Sequence, residues 1–254
     1  MNHEQLRSEY RRKFVATEFP DLVSENSFLW YFYQRELHFV FESLSERKRS
    51  LLDVGCGPIT CNVFPATKSV QDVVLSDFLL GNRLEVEKWL RGAPDAIDWS
   101  CYSESLARLE GFSDIKRGAE EITARTRKAI RKVVPGDILT PGVLQKEHQE
   151  KFDVVLSCFC LEAASLDEAT FRTATQNVGD LIYEGGILIL CGVLGRHEFS
   201  VGGVKFPCLC LTPGAVKDAV VRAGFRVNLW RSLYKPGPLT PTIDSAYVVA
   251  AEKL

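Results

Sequence analysis

The sequence has 254 residues and a formal net charge of −2, with 46% hydrophobic and 25% charged residues. This mixture is typical of a soluble globular protein, and the length predicts one large domain or at most two. The small net charge argues against nucleic acid or an acidic membrane as the main partner. No apolar run approaches the ~18 residues of a membrane span, and the polar start lacks the apolar core of a signal peptide. We therefore expect a cytoplasmic protein, and we expect a monomer.

The predicted elements alternate between helices and strands along the chain. Residues 1–48 are predicted to form two helices, the second with an apolar stripe that includes Phe28, Leu29, Phe32 and Phe39. Further helices are predicted over 82–91, from Ser165 to Ile182 and from Pro213 to Ala223, the last ending at Gly224. Strands are predicted at 51–54, 72–78, 131–138, 151–163, 185–194, 225–233 and 245–253, with a β-hairpin around Gly202 and Gly203. The alternation predicts an α/β fold whose doubly wound sheet is mostly parallel.

Eight cysteines raise the possibility of a metal site or disulfides, but their spacing does not favour either. Cys158/Cys160 and Cys208/Cys210 are C-x-C pairs, whereas zinc sites usually use C-x₂₋₄-C spacing. Cys158 and Cys160 lie in an apolar run at strand spacing, which would point both side chains to the same side. Because free cysteine packs as a small hydrophobe and cytosolic chains rarely keep disulfides, we expect reduced, structural thiols and no metal site.

The stretch LLDVGCGPITC, residues 51–61, is predicted to be a buried strand that ends in a tight turn at Gly55 and Gly57. Ligands bind at such turns in open α/β sheets. A P-loop is excluded because no G-K-[ST] follows the turn. A dinucleotide-binding turn is disfavoured because Thr60 stands where the third glycine would be. An oxidoreductase is therefore the least favoured of the functions considered.

Two acids end the neighbouring strands. Asp77 follows Gly57 by twenty residues, at the place where an acid binds a ribose hydroxyl pair, and Asp137 ends another predicted strand. Together with the glycine turn they predict a site for an adenosine without phosphates, and S-adenosylmethionine fits that description. For Asp77 the alternative is an acid that caps the following helix.

Five segments of the chain resemble those of a known family. The segments DVGCGP, SDFLLGNRLEVEKWL, APDAIDWS, VVPGDI and VVLSCFCLEAA resemble the small-molecule N-methyltransferases that act on nicotinamide, phenylethanolamine, indolethylamines and thioethers. The resemblance runs from about Tyr10 to the end. It implies a class I methyltransferase-like (Rossmann-like) fold, a helical lid at 1–48, a core at 49–254 and a β-hairpin insertion after the fifth strand, all in one domain.

The resemblance also implies a role for individual residues toward S-adenosylmethionine. Gly55, Cys56 and Gly57 would pass under its methionine part, and Cys61 would stand where the family often has a tyrosine. Asp77 would hold the ribose and Asp137 the adenine. The other implied contacts are Phe78, Asn82, Ile138 and Cys158, with Tyr10, Phe14 and Phe19 facing the ligands from the lid.

The chain departs from the family at several of these positions. Phe19 and Ser24 stand where the lid often carries tyrosines, and Cys61 replaces another. The nicotinamide branch has an aspartate where this chain has Gly192, and the phenylethanolamine branch has acids where it has Gly195 and Arg196. These departures bear mainly on recognition of the methyl acceptor.

Glu162 is the predicted acceptor-binding and catalytic residue, because it follows the fourth strand toward the pocket. A carboxylate there would hold an ammonium group and help to remove its proton. The alternative is an acid near the start of the next helix, and Asp244 is a second candidate. The sequence predicts an S-adenosylmethionine-dependent N-methyltransferase acting on a small amine or a pyridine-type molecule. A cofactor-binding protein without turnover, with a regulatory or partner-binding role, is the alternative.

Overall fold

A mixed sheet of seven strands forms the centre of the molecule in the computed structural model, which describes residues 2–44, 48–233, 237–240 and 242–254. Its strands are β1 (Ser50–Val54), β2 (Asp72–Asp77), β3 (Ile130–Pro135), β4 (Phe152–Cys158), β5 (Ile182–Leu194), β8 (Phe225–Leu233) and β9 (Ser245–Lys253), and a separate two-stranded sheet contains β6 (Glu198–Val201) and β7 (Val204–Pro207). The order in the sheet is β3-β2-β1-β4-β5-β9-β8. The first five of these run parallel, and β9 is antiparallel to both of its neighbours. The mostly parallel sheet predicted from the sequence is confirmed.

Helices cover both faces of this sheet, as predicted. They are α1 (His3–Lys13), α2 (Phe19–Glu25), α3 (Ser27–Ser43), α4 (Leu80–Arg91), α5 (Ser100–Leu109), α6 (Ile115–Ala129), α7 (Cys160–Ala164), α8 (Glu168–Gly179) and α9 (Pro213–Arg222). Side chains from α3, α5 and α6 share one buried cluster with Leu51, and side chains from α8 and α9 share another with Leu52. Adjacent residues of β1 thus face opposite layers, because side chains alternate along a strand.

The amino-terminal segment contains three helices rather than the predicted two. The chain breaks between α2 and α3 at Asn26, whose backbone (φ −116°, ψ 28°) lies outside helical geometry. The predicted apolar stripe is partly wrong as well, since Leu29 and Phe32 are buried whereas Phe28 and Phe39 are 39% and 46% exposed. Residues 1 and 45–47 of the predicted lid lie outside the described residues.

The segment after β4 also differs from the prediction. The strand ends at Cys158, Phe159 adopts a left-handed conformation (φ 59°), and Cys160 already begins α7. The spacing of Cys158 and Cys160 indicated that both lie on one strand, and this prediction is wrong. The predicted helix from Ser165 to Ile182 is shorter, because α8 begins after the cap Asp167 and ends at Gly179, and Ile182 already belongs to β5.

The predicted hairpin is present as β6 and β7, which pair antiparallel around Gly202 and Gly203. Both glycines have positive φ (55° and 75°), as tight hairpin turns require. Phe206 of the hairpin packs with Leu22 of α2 and with Tyr10 of α1. The hairpin and the amino-terminal helices thus meet above the carboxyl ends of the parallel strands. None of the helices in the described ranges is long and apolar enough to cross a bilayer.

Candidate active site

An open cavity, whose empty space of about 1220 Å³ includes the part open to solvent, lies at the carboxyl ends of β1, β2 and β4, beneath α1. In open α/β sheets ligands bind at the point where the strand order reverses. In this sheet that point lies between β1 and β4. Most of the residues predicted from the sequence line the cavity, namely Tyr10, Phe14, Phe19, Gly55, Cys56, Gly57, Asp77, Phe78, Asn82, Asp137, Ile138, Cys158 and Glu162.

The glycine turn after β1 forms the floor of the cavity. Gly55 and Gly57 have φ values of 69° and 63°, which favour glycine. The N–H groups of Gly55 and Cys56 both donate to the carbonyl of Ser76, at 2.8 and 3.0 Å. A Cβ atom at Gly55 would lie 2.1 Å from Sγ of Cys160. A side chain at Gly55 is therefore excluded both by the backbone conformation and by α7.

Asp77, the last residue of β2, is buried beside this turn. Its Oδ2 accepts a hydrogen bond from the N–H of Gly57 (2.8 Å), and its Oδ1 accepts from the N–H of Leu79 (2.8 Å) and from Nδ2 of Asn82 (3.0 Å). Burial raises the pKa of Asp77, and these three hydrogen bonds oppose the rise. Oδ1 of Asn82 is buried and has no hydrogen-bond partner among the described residues. An acceptor for an incoming hydroxyl or amine is thus held next to the Asp77 carboxylate.

Asp137 connects α1 to the sheet. Its Oδ2 accepts a hydrogen bond from Nη2 of Arg7 on α1 at 2.7 Å, and its Oδ1 accepts from the N–H of Leu139 at 3.0 Å. The carbonyl of the neighbouring Ile138 is held by Nδ2 of Asn177 at 2.9 Å. The ion pair brings the first turns of α1 over this end of the cavity. The guanidinium of Arg11 stands 4.5 Å from the centre of the Phe78 ring in the same region.

Glu162 lies at the other end of the cavity, in the first turn of α7 rather than at the end of β4 itself. Its side chain is buried, and burial raises its pKa to about 7 against the opposing hydrogen bonds from the backbone of Glu162 and Val193. Oε1 has no hydrogen-bond partner among the residues that the structure describes. A buried carboxylate oxygen without a partner is costly, and a cationic ligand would satisfy it.

The sequence profile of the NNMT/PNMT/TEMT family matches residues 3–254. Human phenylethanolamine N-methyltransferase is 31% identical over 198 residues, which are 77% of this chain and 69% of that protein. Pig nicotinamide N-methyltransferase is 33% identical over 178 residues, which are 70% of this chain and 66% of that protein. The chain belongs to this family. The family consists of S-adenosylmethionine-dependent methyltransferases, so the enzyme class and the cofactor predicted from the sequence are confirmed.

Solved structures confirm the fold. Magnesium protoporphyrin IX methyltransferase from Synechocystis, with bound S-adenosylmethionine, superposes with a TM-score of 0.63 at 9% identity, covering 100% of this chain and 98% of that one. The glycopeptide N-methyltransferase MtfA, also with S-adenosylmethionine, gives a TM-score of 0.54 at 16% identity, covering 87% and 92% of the two chains. At these identities the likeness is one of fold, which is the class I methyltransferase fold that the family resemblance implied.

Two of the predicted site residues, Cys61 and Asp244, do not line the cavity. Cys61 is buried in a short 3₁₀ helix (Cys61–Lys68) and lines a separate small gap with Trp30 and Tyr33. Asp244 is exposed, and its carboxylate lies against Gly195, where a Cβ atom would be only 2.1 Å from Oδ2. Neither the position of Cys61, where the family often has a tyrosine, nor that of Asp244 is thus part of the wall of this cavity.

Several residues that line the cavity were not predicted from the sequence as site residues. Arg7, Trp30, Phe159, Cys160 and Arg196 all contribute to its wall. The left-handed backbone of Phe159 could not be predicted from the sequence, because positive φ is uncommon for a non-glycine residue and exceptional for a bulky one. Arg196 was noted only as a departure from the phenylethanolamine branch, although a charged residue just beyond the end of a central strand is itself a signal.

Proposed function

We propose that this chain transfers the methyl group of S-adenosylmethionine to the nitrogen of a small amine, with Glu162 holding that amine. The observation that carries the proposal is the buried Oε1 of Glu162, which has no partner among the described residues of a cavity suited to a cofactor. Relatives named for phenylethanolamine and nicotinamide support an acceptor of small size. When bound, S-adenosylmethionine supplies an activated methyl group carried on a sulfonium.

The residues of the cavity fit this cofactor. Gly55, Cys56 and Gly57 would hold its methionine part against backbone rather than side chains. Asp77 would accept hydrogen bonds from the ribose hydroxyls, and the unpartnered Oδ1 of Asn82 supplies a further acceptor. The other proposed contacts, around the adenine and along β4, are Phe78, Asp137, Ile138 and Cys158.

Glu162 would act on the acceptor in two ways. As a carboxylate it would bind the ammonium form of the amine and orient its nitrogen, and it would then accept the proton that the nitrogen gives up. A base whose pKa is about 7 is suited to this transfer near neutral pH, because it is partly ionised yet basic enough to take the proton. The ammonium ion would in turn favour the charged carboxylate on binding.

Aromatic side chains would exclude water during the reaction. Tyr10 of α1 stacks on Phe206 of the hairpin with ring centres 4.8 Å apart, and Phe14 lies 5.7 Å from the same ring. Phe14 also packs at 5.9 Å from Phe19. These contacts join the lid to the hairpin above the acceptor end of the cavity, where they would shield the reacting nitrogen.

Incubation with methyl-labelled S-adenosylmethionine and a panel of small amines tests the proposal. We expect a labelled N-methylamine for at least one member of the panel, together with saturable binding of S-adenosylhomocysteine in a calorimeter. Cofactor binding without labelled product from any amine would favour the alternative, a binding protein with a regulatory role. No cofactor binding would overturn the proposed site altogether.

We propose that residues 1–254 form one domain, with 1–48 as its lid, and that the protein acts as a monomer in the cytoplasm without a nucleic-acid or membrane partner. Size-exclusion chromatography with light scattering would test the oligomeric state.

A further inference from the structure

Arg196 is a charged residue of the cavity wall that the proposed reaction does not use. It follows β5 and lines the cavity together with Glu162. Its Nε donates a hydrogen bond to the carbonyl of Glu198 at 2.9 Å, and its guanidinium carbon stands 5.6 Å from the centre of the Phe199 ring. Among the described residues, neither Nη atom has a hydrogen-bond acceptor, and no carboxylate forms an ion pair with Arg196.

Arg196 is partly buried in this wall, and burial lowers its pKa. Buried charges are normally paired, because the loss of hydration is otherwise uncompensated. Arg7, the other arginine that lines the cavity, follows this rule through its contact with Asp137. The two Nη groups of Arg196 have no acceptor among the described residues, and they form the planar fork that binds a carboxylate.

Glu162 and Arg196 have complementary needs. Each lies on the wall of the same cavity, and each influences the other electrostatically, but their charged atoms are not within ion-pair distance of one another. The carboxylate lacks a cation and the guanidinium lacks an anion. A simple alkylammonium at Glu162 would leave the guanidinium unpaired and would be repelled by it.

We propose that the methyl acceptor is amphoteric, with its amine nitrogen at Glu162 and a carboxylate of the same molecule at Arg196. The inference rests on the proposed function, because it names the acceptor class for the same site. The aromatic wall formed by Trp30, Phe159 and Phe199 suits a planar or apolar body that carries the two charged groups. Amino acids with an aromatic side chain and aromatic ω-amino carboxylates have this chemistry.

Three matched pairs of acceptors test the inference. They are 4-(aminomethyl)benzoate with 4-methylbenzylamine, tyrosine with tyramine, and tryptophan with tryptamine. In each pair the body is closely similar and only one member carries a carboxylate. With labelled S-adenosylmethionine we expect at least one amphoteric member to have a kcat/KM at least tenfold above that of its partner.

Variants of Arg196 separate recognition from a structural role. Arg196→Gln should abolish the difference within the preferred pair, mainly through KM, and Arg196→Lys should restore part of it. Arg196→Glu should reverse the preference in favour of the plain amine, which a merely structural loss would not do. Arg108→Gln, at an exposed arginine of α5, serves as a matched control and should keep the preference of the unaltered protein.

Calorimetry distinguishes the possible failures. If S-adenosylhomocysteine does not bind, the proposed function and this inference both fall. If the cofactor binds and the plain amines are methylated as well as the amphoteric ones, only the inference is overturned. The inference alone is likewise overturned if no amphoteric probe binds to the protein saturated with S-adenosylhomocysteine. A loss of S-adenosylhomocysteine affinity in Arg196→Gln would also overturn it, because the arginine would then serve the carboxylate of the cofactor.

Discussion

The carboxylate of Glu162 fills the space beside Gly192. A Cβ atom built on Gly192 would lie 2.6 Å from Oε1 of Glu162 and 2.7 Å from the hydroxyl oxygen of Tyr247. All three residues are buried, and the carbonyl of Gly192 is held by the hydroxyl of Tyr33 at 2.7 Å. The absence of a side chain at position 192 is thus what allows Glu162 to take this position in the wall of the cavity.

Gly192→Ala should therefore harm both folding and acceptor binding. The added methyl group must displace Glu162 or Tyr247, and overpacking of this kind costs about 1–3 kcal/mol. We expect a lower free energy of unfolding in urea and a raised KM for the amine. Gly214→Ala is a suitable control, because its Cβ atom would make only an ordinary contact at 3.8 Å. Normal stability and normal KM in Gly192→Ala would contradict the steric argument.

Nicotinamide should be a poor acceptor or none. Gly192 offers no side chain to accept a hydrogen bond from its amide, and the neutral pyridine ring brings no ammonium group to Glu162. A site that lacks the polar group that reads a substrate discriminates poorly in its favour. Turnover of nicotinamide should be compared with that of the best amine in the panel, and comparable values would show this prediction to be wrong.

Glu162→Gln should lower methyl transfer by about 10- to 1,000-fold, the scale for the loss of one positioned acid–base group. Affinity for S-adenosylhomocysteine should stay nearly unchanged, because Glu162 lies beyond the residues proposed to hold the adenosine. Since the free protein holds the pKa of Glu162 at about 7, kcat/KM should fall as the pH is lowered through 7. That acid limb should be absent in the variant.

The control for Glu162→Gln is Glu168→Gln, at an exposed residue in the first turn of α8. If Glu162 only supports its helix, the glutamine variant would lose some stability but keep full turnover per folded molecule. Measurements of thermal stability, cofactor affinity and turnover on the two variants decide between these outcomes.

Asp77→Ala should weaken cofactor binding by about 1.5–3 kcal/mol, the scale for losing a charged hydrogen-bond partner. The substitution also frees the N–H groups of Gly57 and Leu79, so affinity should be measured by calorimetry on protein shown to be folded. Asp72→Ala, at the opposite end of β2 where the acid pairs with Arg131, is the matched control. Equal affinities in the two variants would remove Asp77 from the site.

The buried Asp53 should make folding stability depend on pH. Burial raises the pKa of Asp53 to about 8, and its carboxyl oxygens have no hydrogen-bond partner among the described residues. Between the ordinary pKa and 8 the folded state holds a proton that the unfolded state releases. Stability should therefore fall as the pH rises through this range, by up to ~1.4 kcal/mol per unit.

Asp53→Asn, which cannot ionise, should remove this dependence. Glu162 contributes with the same sign up to pH 7, so the difference between the two proteins isolates Asp53. Urea unfolding at pH 5, 6, 7 and 8 should show that the advantage of the unaltered protein over the variant shrinks as the pH rises. A constant difference across this range would mean that Asp53 is not buried as a neutral acid.

Local patterns were sufficient to predict the sheet and the floor of the site. Apolar runs that end in Gly55, Asp77 and Asp137 identify strands whose carboxyl ends meet at one edge, because parallel strands share a direction. The β-hairpin followed from Gly202 and Gly203 for a similar reason, since the turn requires backbone angles that glycine adopts without strain. Periodicity was less informative for α3, where Phe28 and Phe39 remain exposed although they continue the apolar pattern.

The arrangement of residues around Glu162 was decided by the tertiary structure. The sequence by itself determined the family, the fold class and the residues that follow β1 and β2, since each of these depends on contiguous segments. It could not show that Cys61 and Asp244 lie away from the cavity, or that Arg196 joins Glu162 in its wall. Such positions depend on how β4, β5 and the hairpin are placed relative to one another. Packing between distant segments fixes that placement, and spacing along the chain does not encode it.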